Sequence, residues 1–234
     1  MAWEEVRDAI KAGKTTVIVA TGGTEQNGPH VVTGKHNFIV RVTAEATARR
    51  LGNALVAPVV TFVPEGKIDP PTGHMEYPGT VSVRDSTFRA LLTDICASYK
   101  MYGFRNVVLI GDSSGNQKGM KAVAKKLNAA WAKGNARAHY VAEYYDAEWL
   151  DDFLAKAGTV EEDEGIHDCY AVSAMLAAVD PKLIRAEQRM AAGKFRINGV
   201  QLAPVEKTAA MGRKLIDKYA EVTADAIRKA IAGK

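Results

Sequence analysis

Glu25, His30 and His36 stand within twelve residues of one another, in a segment that runs Thr21-Gly22-Gly23-Thr24-Glu25-Gln26-Asn27-Gly28-Pro29-His30 and on through Gly34 and Lys35. A loop that only turns the chain needs Gly, Pro or Asn. It has no use for one carboxylate and two imidazoles. Three later segments add the same chemistry: Pro70-Pro71-Thr72-Gly73-His74, Gly111-Asp112-Ser113-Ser114-Gly115-Asn116, and Gly165-Ile166-His167-Asp168. Imidazole nitrogens and carboxylate oxygens are the ligands that zinc and manganese take. Such a metal brings the pKa of bound water down to ~7. Metal-assisted hydrolysis is therefore the simplest chemistry these residues could do. Glu25, His36 and Asp112 are the expected ligands, and His167 is placed to pass a proton to a leaving group. His30 and His74 are expected to contact substrate or to support the ligands. Asn116 either orients substrate or caps a helix.

Those residues need a frame that brings them together. Thr15 to Ala20 is a short β-branched run of the kind buried in a parallel sheet. His36 to Leu51 carries apolar residues at helical spacing and stops at Gly52. Ala54 to Val63 reads as a second buried strand, Val107 to Ile110 as a third and Ala138 to Tyr144 as a fourth. Helices are expected over 3–12, 84–102, from Asn116 to about Lys133, and over 208–231. Phe195 to Pro204 reads as an irregular or hairpin segment. Alternating strands and helices predict one domain over 1–234, a three-layer α/β/α sandwich with a mostly parallel central sheet. In such sheets ligands bind beyond the carboxyl ends of the strands, so loops far apart in sequence share one rim.

Composition narrows the class. With 47% apolar residues, the 234-residue chain can fill a full core. A net charge of +4, scattered through helices without interleaved aromatics, gives no support to nucleic-acid binding. No run approaches the ~20 apolar residues of a membrane span. The acidic start lacks a signal-peptide pattern, and Cys96 and Cys169 lie far apart, so a reduced, cytoplasmic protein is expected. His139, inside a strand, is read as structural. The run Glu161-Glu162-Asp163-Glu164 is read as solvated surface, and so are Glu65 and Asp69, whose alternative is to bind a cationic or polyhydroxy substrate. Two other motifs are weighed. Gly111-Asp112-Ser113 matches the nucleophile block of some serine esterases, but it is mid-chain and only Glu164 precedes His167 at the required spacing. The same loop lacks the Gly-Lys-Ser/Thr ending of a nucleotide loop.

At these residues the chain resembles the creatininase (creatinine amidohydrolase) family, over roughly 17–185. Gly23 to His30 resembles the family's Gly-Ser-Thr-Glu-Gln-His-Gly-Pro-His. Gly73 to Ser82 resembles its Glu-His-x-x-Phe-Pro-Gly-Thr-Ile-Ser. Val107 to Asn116 resembles the strand leading to Asn-Gly-His-Gly-Gly-Asn, and Gly165-Ile166-His167 with Ser173 to Ala177 resembles the His-Ala-Gly-Glu block and its helix. The resemblance implies a three-layer fold, frequent assembly as a hexamer, and a one- or two-metal centre of zinc or manganese that hydrolyses amide or cyclic amide C–N bonds. It places Glu25 on a metal-ligand glutamate. Asn27 falls where a ligand histidine is usual, His36 where an aspartate bridges two metals, Ser113 where a third-loop histidine stands with Asp112 beside it, and Tyr170 where a glutamate is frequent. His167 falls at or next to the proton-shuttling histidine. Asn27 and Ser113 thereby become substrate-binding candidates. An imidazole cannot bridge two metals, so one metal per chain is expected in place of two.

The resulting expectation is a cytoplasmic, homo-oligomeric hydrolase of a C–N bond in a small polar molecule, with no nucleic-acid or membrane partner. Two rivals use the same scaffold. One is a metal-free lyase or isomerase with Glu25 and His167 as base and acid. The other is a small-molecule binding protein without turnover.

Overall fold

The computed structural model describes residues 1–233. Helix α1 (Trp3–Lys11) leads into β1 (Thr16–Thr21), and α2 (Lys35–Leu51) returns the chain to β2 (Ala54–Val56). A long segment then crosses the sheet rim with one 3-10 turn at Gly73–Glu76. It is followed by α3 (Asp85–Met101), β3 (Asn106–Gly111), α4 (Ser114–Ala130) and β4 (Arg137–Tyr140). The last third holds α5 (Glu143–Asp146), α6 (Leu150–Lys156), α7 (Tyr170–Val179), a 3-10 turn at Pro181–Ile184, α8 (Ala186–Ala191), a short hairpin of β5 (Arg196–Ile197) and β6 (Val200–Gln201), and α9 (Val205–Ala232).

The main sheet has the order β2-β1-β3-β4 and every pair in it is parallel. β1 and β3 are in register from Thr16↔Asn106 to Thr21↔Gly111 and are buried along their whole length. Successive side chains on a strand point to opposite faces. Ile18, Ala20, Val108 and Ile110 thus join the core under α2, α7 and α9. Val17, Val19, Val107 and Leu109 join the core under α3 and α4. This is the three-layer α/β/α architecture expected from the alternating pattern.

Two strands are shorter than the apolar runs predict. β2 stops at Val56 because Pro58 has no N–H to give a ladder. Pairing with β1 resumes through Val60 N–H to the Ala20 carbonyl, 3.0 Å. β4 stops at Tyr140, and the chain bends into α5 after Val141 donates to Leu109, 3.1 Å. His139 keeps the structural place expected of it, with Nε2 3.1 Å from Asn106 Oδ1.

α7 and α9 cross closely because Gly212 has no side chain. A Cβ there would lie 1.9 Å from the Ala174 carbonyl oxygen and 2.4 Å from its carbon. Both are backbone atoms and cannot swing away. Gly212→Ala is expected to cost about 2–3 kcal/mol through overpacking, or roughly 5–10 °C of Tm. Gly134→Ala meets only a carbonyl at 3.4 Å and is the control, with an expected change within about 0.5 kcal/mol. Thermal melts of the two variants check this; equal melts would contradict the close crossing.

Candidate active site

The site forms where β1 and β3 end. Gly22 and Gly23 carry the chain off β1 through a space that closes around them. A Cβ on Gly22 would meet Asn37 Oδ1 at 2.1 Å, and one on Gly23 would meet Glu65 Oε1 at 2.2 Å. Asn37, in the first turn of α2, clamps this bend: its Oδ1 accepts from Gly23 N–H at 3.2 Å and its Nδ2 donates to the Gly23 carbonyl at 2.9 Å. Glu25 N–H donates to the Thr33 carbonyl, 2.9 Å, and Asn27 Nδ2 donates to the Glu25 carbonyl, 2.9 Å. The Glu25 side chain is thereby fixed pointing inward, 2% exposed.

Four cationic or imidazole groups surround that carboxylate. His36 Nε2 lies 2.7 Å from Oε1, His74 Nε2 lies 3.2 Å from Oε2, His167 Nε2 lies 3.7 Å from Oε1 and Lys35 Nζ lies 3.8 Å from Oε1. The other nitrogen of His36, Nδ1, lies 2.7 Å from Asp112 Oδ2. Asp112 is supported in turn by the buried Tyr144 hydroxyl, 3.5 Å from its Oδ1. Burial opposes a charge on the His36 ring. The hydrogen bond and charge of Asp112, with the bond to Glu25, outweigh it and lift His36 to about 9. Burial likewise opposes charge on Glu25, but the bond and charge of His36 and the charge of Lys35 hold its carboxylate down at about 2.

The three expected metal ligands Glu25, His36 and Asp112 are therefore in contact, but as an imidazolium bridging two carboxylates. Glu25 and Asp112 face opposite nitrogens of the His36 ring. Glu25, His74 and His167 form a group whose ligand atoms lie within 4.8 Å of one another. The rings of His74 and His167 stand 4.4 Å apart. His167 Nδ1 is 3.0 Å from the Gln26 carbonyl, which can only accept, so the proton of the neutral ring is on Nδ1 and the lone pair of Nε2 faces Glu25. Metal-binding imidazoles are characteristically fixed this way. Burial, followed by the charge of Lys35, keeps His167 below its ordinary value and hence neutral at neutral pH. This donor set fits one divalent metal.

The remaining candidates separate. Ser113 Oγ donates to Glu65 Oε2 at 3.0 Å and so supports a carboxyl. Asn27 is buried beside Glu25, and its Oδ1 has no hydrogen-bond partner. Asn116 is neither a helix cap nor within reach of a ligand: it is fully buried, and its Nδ2 donates to the Gly22 carbonyl and Thr21 Oγ1, both at 2.8 Å. That ties α4 to the end of β1. His30 does not join the Glu25 group and lines a separate cavity with Arg189 and Lys194.

Glu65 corrects the surface reading. It is 5% exposed and lies against Glu25, with its N–H donating to Ser82 Oγ at 2.9 Å. Burial, with the charge of Glu25, pushes its carboxyl up to about 8. At neutral pH the site therefore holds one ionised and one protonated glutamate side by side. Asp69 is exposed, as expected. The acidic run is only partly free: Glu164 accepts from Arg196, Asn198 N–H and Gly199 N–H, and Glu161 accepts from Tyr170 N–H and Asn198 Nδ2. These bonds fasten the β5–β6 hairpin beside the site.

Fold and site together define a class: a three-layer α/β protein with a carboxylate–imidazole centre on the carboxyl rim of a parallel sheet. The family model for creatininase (creatinine amidohydrolase) matches residues 1–227, and the chain belongs to that family. Among relatives, it is 30% identical over 110 residues to a 3-dehydro-scyllo-inosose hydrolase of Thermotoga maritima, covering 47% of this chain and only 33% of that protein's length. It is 25% identical over 228 residues to a mycofactocin precursor peptide peptidase of Mycolicibacterium smegmatis, covering 91% of this chain and 84% of the relative. A manganese creatininase structure superposes with a TM-score of 0.71 at 19% identity, covering 98% of this chain and 96% of the other. A Zn-Zn type creatininase variant gives 0.70. These likenesses show the fold, and the named relatives are hydrolases. Among the described residues no helix is long and apolar enough to cross a membrane.

Proposed function

We propose that the protein is a metal-dependent hydrolase that cleaves an amide or cyclic amide C–N bond in a small polar molecule, with one zinc or manganese per chain held by Glu25, His74 and His167. The observation that carries this reading is the fixed tautomer of His167, whose Nε2 lone pair is turned to Glu25 beside His74. When bound, such a metal polarises a carbonyl and makes hydroxide available at neutral pH. The chain's own groups supply the rest. His36 and Lys35 keep Glu25 ionised as a ligand. Glu65 holds a proton at neutral pH beside Glu25, where it can be given to the leaving nitrogen. Ser113 fixes Glu65 Oε2, so that the proton is offered from the carboxyl at a constant place. In this assignment His167 is a ligand, and Glu65 takes the proton-carrying role that the sequence gives to His167.

Elemental analysis of protein purified without added metal tests the ligand set. About one zinc or manganese per chain is expected, falling to near zero in His167→Ala and in His74→Ala. Full metal content in both variants would overturn this ligand set. No metal in the wild type would overturn the metal-dependent reading and leave acid–base chemistry by Glu25 and Glu65.

A further inference from the structure

We infer that Gln26 is a positioning residue that sets the tautomers of both site imidazoles, and that its side-chain amide must turn over before His74 can act as a ligand. The inference rests on the metal-dependent reading proposed above and adds a step that controls loading of the site. Gln26 follows Glu25 directly and touches the two histidines with different parts. Its backbone carbonyl lies 3.0 Å from His167 Nδ1. Its side-chain Nε2 lies 3.4 Å from His74 Nδ1. Its N–H donates to Thr80 Oγ1 at 3.1 Å, which ties it to the segment that carries His74. The two rings stand 4.4 Å apart, so one residue spans the imidazole pair.

The two contacts differ in one respect. A carbonyl can only accept, so the proton of His167 stays on Nδ1 and its Nε2 lone pair is ready. A carboxamide has a donor on one side and an acceptor on the other, and half a turn about its Cγ–Cδ bond exchanges them. The far side of the His74 ring decides which of the two is wanted. His74 Nε2 lies 3.2 Å from Glu25 Oε2. A carboxylate oxygen can only accept, so the neutral ring answers it with Nε2–H. The lone pair is then on Nδ1, and the amide NH₂ of Gln26 faces it. In this tautomer the proton occupies the nitrogen that would bind the metal. Service as a ligand needs the opposite one. Nε2 gives its proton to solvent, Nδ1 gains one, and the charge of the ring is unchanged. Solvent reaches the ring, whose side chain is 30% exposed. The new Nδ1–H needs an acceptor, because a ligand imidazole characteristically donates its other N–H. Gln26 Oε1 supplies it after the half turn. That oxygen makes no hydrogen bond among the described residues, so the turn breaks only the contact to Nδ1 itself. His167 is thus preset and His74 is gated, both by one residue.

Two measurements on the full chain test this. Long-range proton–nitrogen correlation NMR of isotope-labelled, chelator-treated protein shows which nitrogen carries each imidazole proton; at about pH 8 the rings are above their ordinary value of about 6.5. His74 is expected as Nε2–H and His167 as Nδ1–H. On addition of zinc, His74 is expected to convert to Nδ1–H while His167 keeps its tautomer. Competition with a chelator gives the zinc affinity. Gln26→Met keeps the length of the side chain and loses its acceptor, and is expected to weaken zinc binding by about 10–100-fold. Gln26→Glu restores an acceptor and is expected to bind within about threefold of the wild type. A side chain that only filled space would make the two variants alike. His74 found as Nδ1–H in the metal-free protein, or zinc affinity unchanged in Gln26→Met, would overturn the gate and leave the ligand set standing. A wild-type protein that binds no zinc would overturn the ligand set and the gate with it. The wild-type spectra decide the matter even if a variant fails to fold.

Discussion

Replacing His36 by leucine is expected to lower stability by about 3–5 kcal/mol, the cost of leaving buried charges without their partner. The ring lies 2.7 Å from each of two carboxylates. In a chain of this size the loss corresponds to roughly 10–15 °C of Tm. A pH dependence accompanies it. The folded-state value of His36, about 9, lies above its ordinary 6.5. Its stabilisation is therefore complete below about pH 6.5 and is lost as pH rises through 9, by about 3 kcal/mol in all. Glu65, raised from 4.5 to about 8, acts in the same direction over a lower window. Urea titrations of chelator-treated protein across this range should show stability falling with pH, and His36→Leu should lose the upper part of the slope. A variant within about 1 kcal/mol of wild type would contradict the bridging imidazolium.

Two adjacent glutamates should answer the same substitution in opposite ways. Glu65→Gln replaces a protonated carboxyl by a neutral isostere. Stability near pH 7 should change by less than about 1 kcal/mol. The lost proton should instead lower kcat by about 10²–10⁴-fold. Glu25→Gln removes an anion wedged between His36 and Lys35. It should cost about 3–5 kcal/mol and, on the proposed ligand set, abolish metal binding and the activity with it. Melting curves and metal content distinguish the pair before any substrate is known. Equal destabilisation by both substitutions would mean that Glu65 is ionised at neutral pH, and its proposed role would fall.

The frame was legible because its signals are local. β1 and β3 are uninterrupted apolar runs, and the residues after them are glycines with an acid, so the rim and Glu25 could be read directly. The direction of a side chain at that rim is not local. His36 and Asp112 have the types and spacing of metal ligands. The same types also make an ion pair, and the first turn of α2 is what places the ring between Glu25 and Asp112. Glu65 was hidden for another reason. It sits in a Pro/Gly-rich segment of surface character, and its burial depends on Gly23 leaving space in a different loop. A sequence cue existed: paired glycines before Glu25 mark a close approach by something. Asn116 misled because a polar residue near a helix start usually caps it, whereas here its amide serves the carbonyls of β1.

The bridging imidazolium also bears on how the protein matures. Its charge and that of Lys35 offset Glu25 and Asp112 within the chain itself, and Glu65 adds none while protonated. The folded state is thus electrically neutral at its centre before any divalent ion arrives. Many metal sites collect unopposed carboxylates and cannot close until a cation joins them. Under the metal-dependent reading proposed above, the order of assembly would run the other way: the chain would fold first and be loaded afterwards, so scarcity of metal would leave a pool of intact, waiting protein rather than an unfolded one.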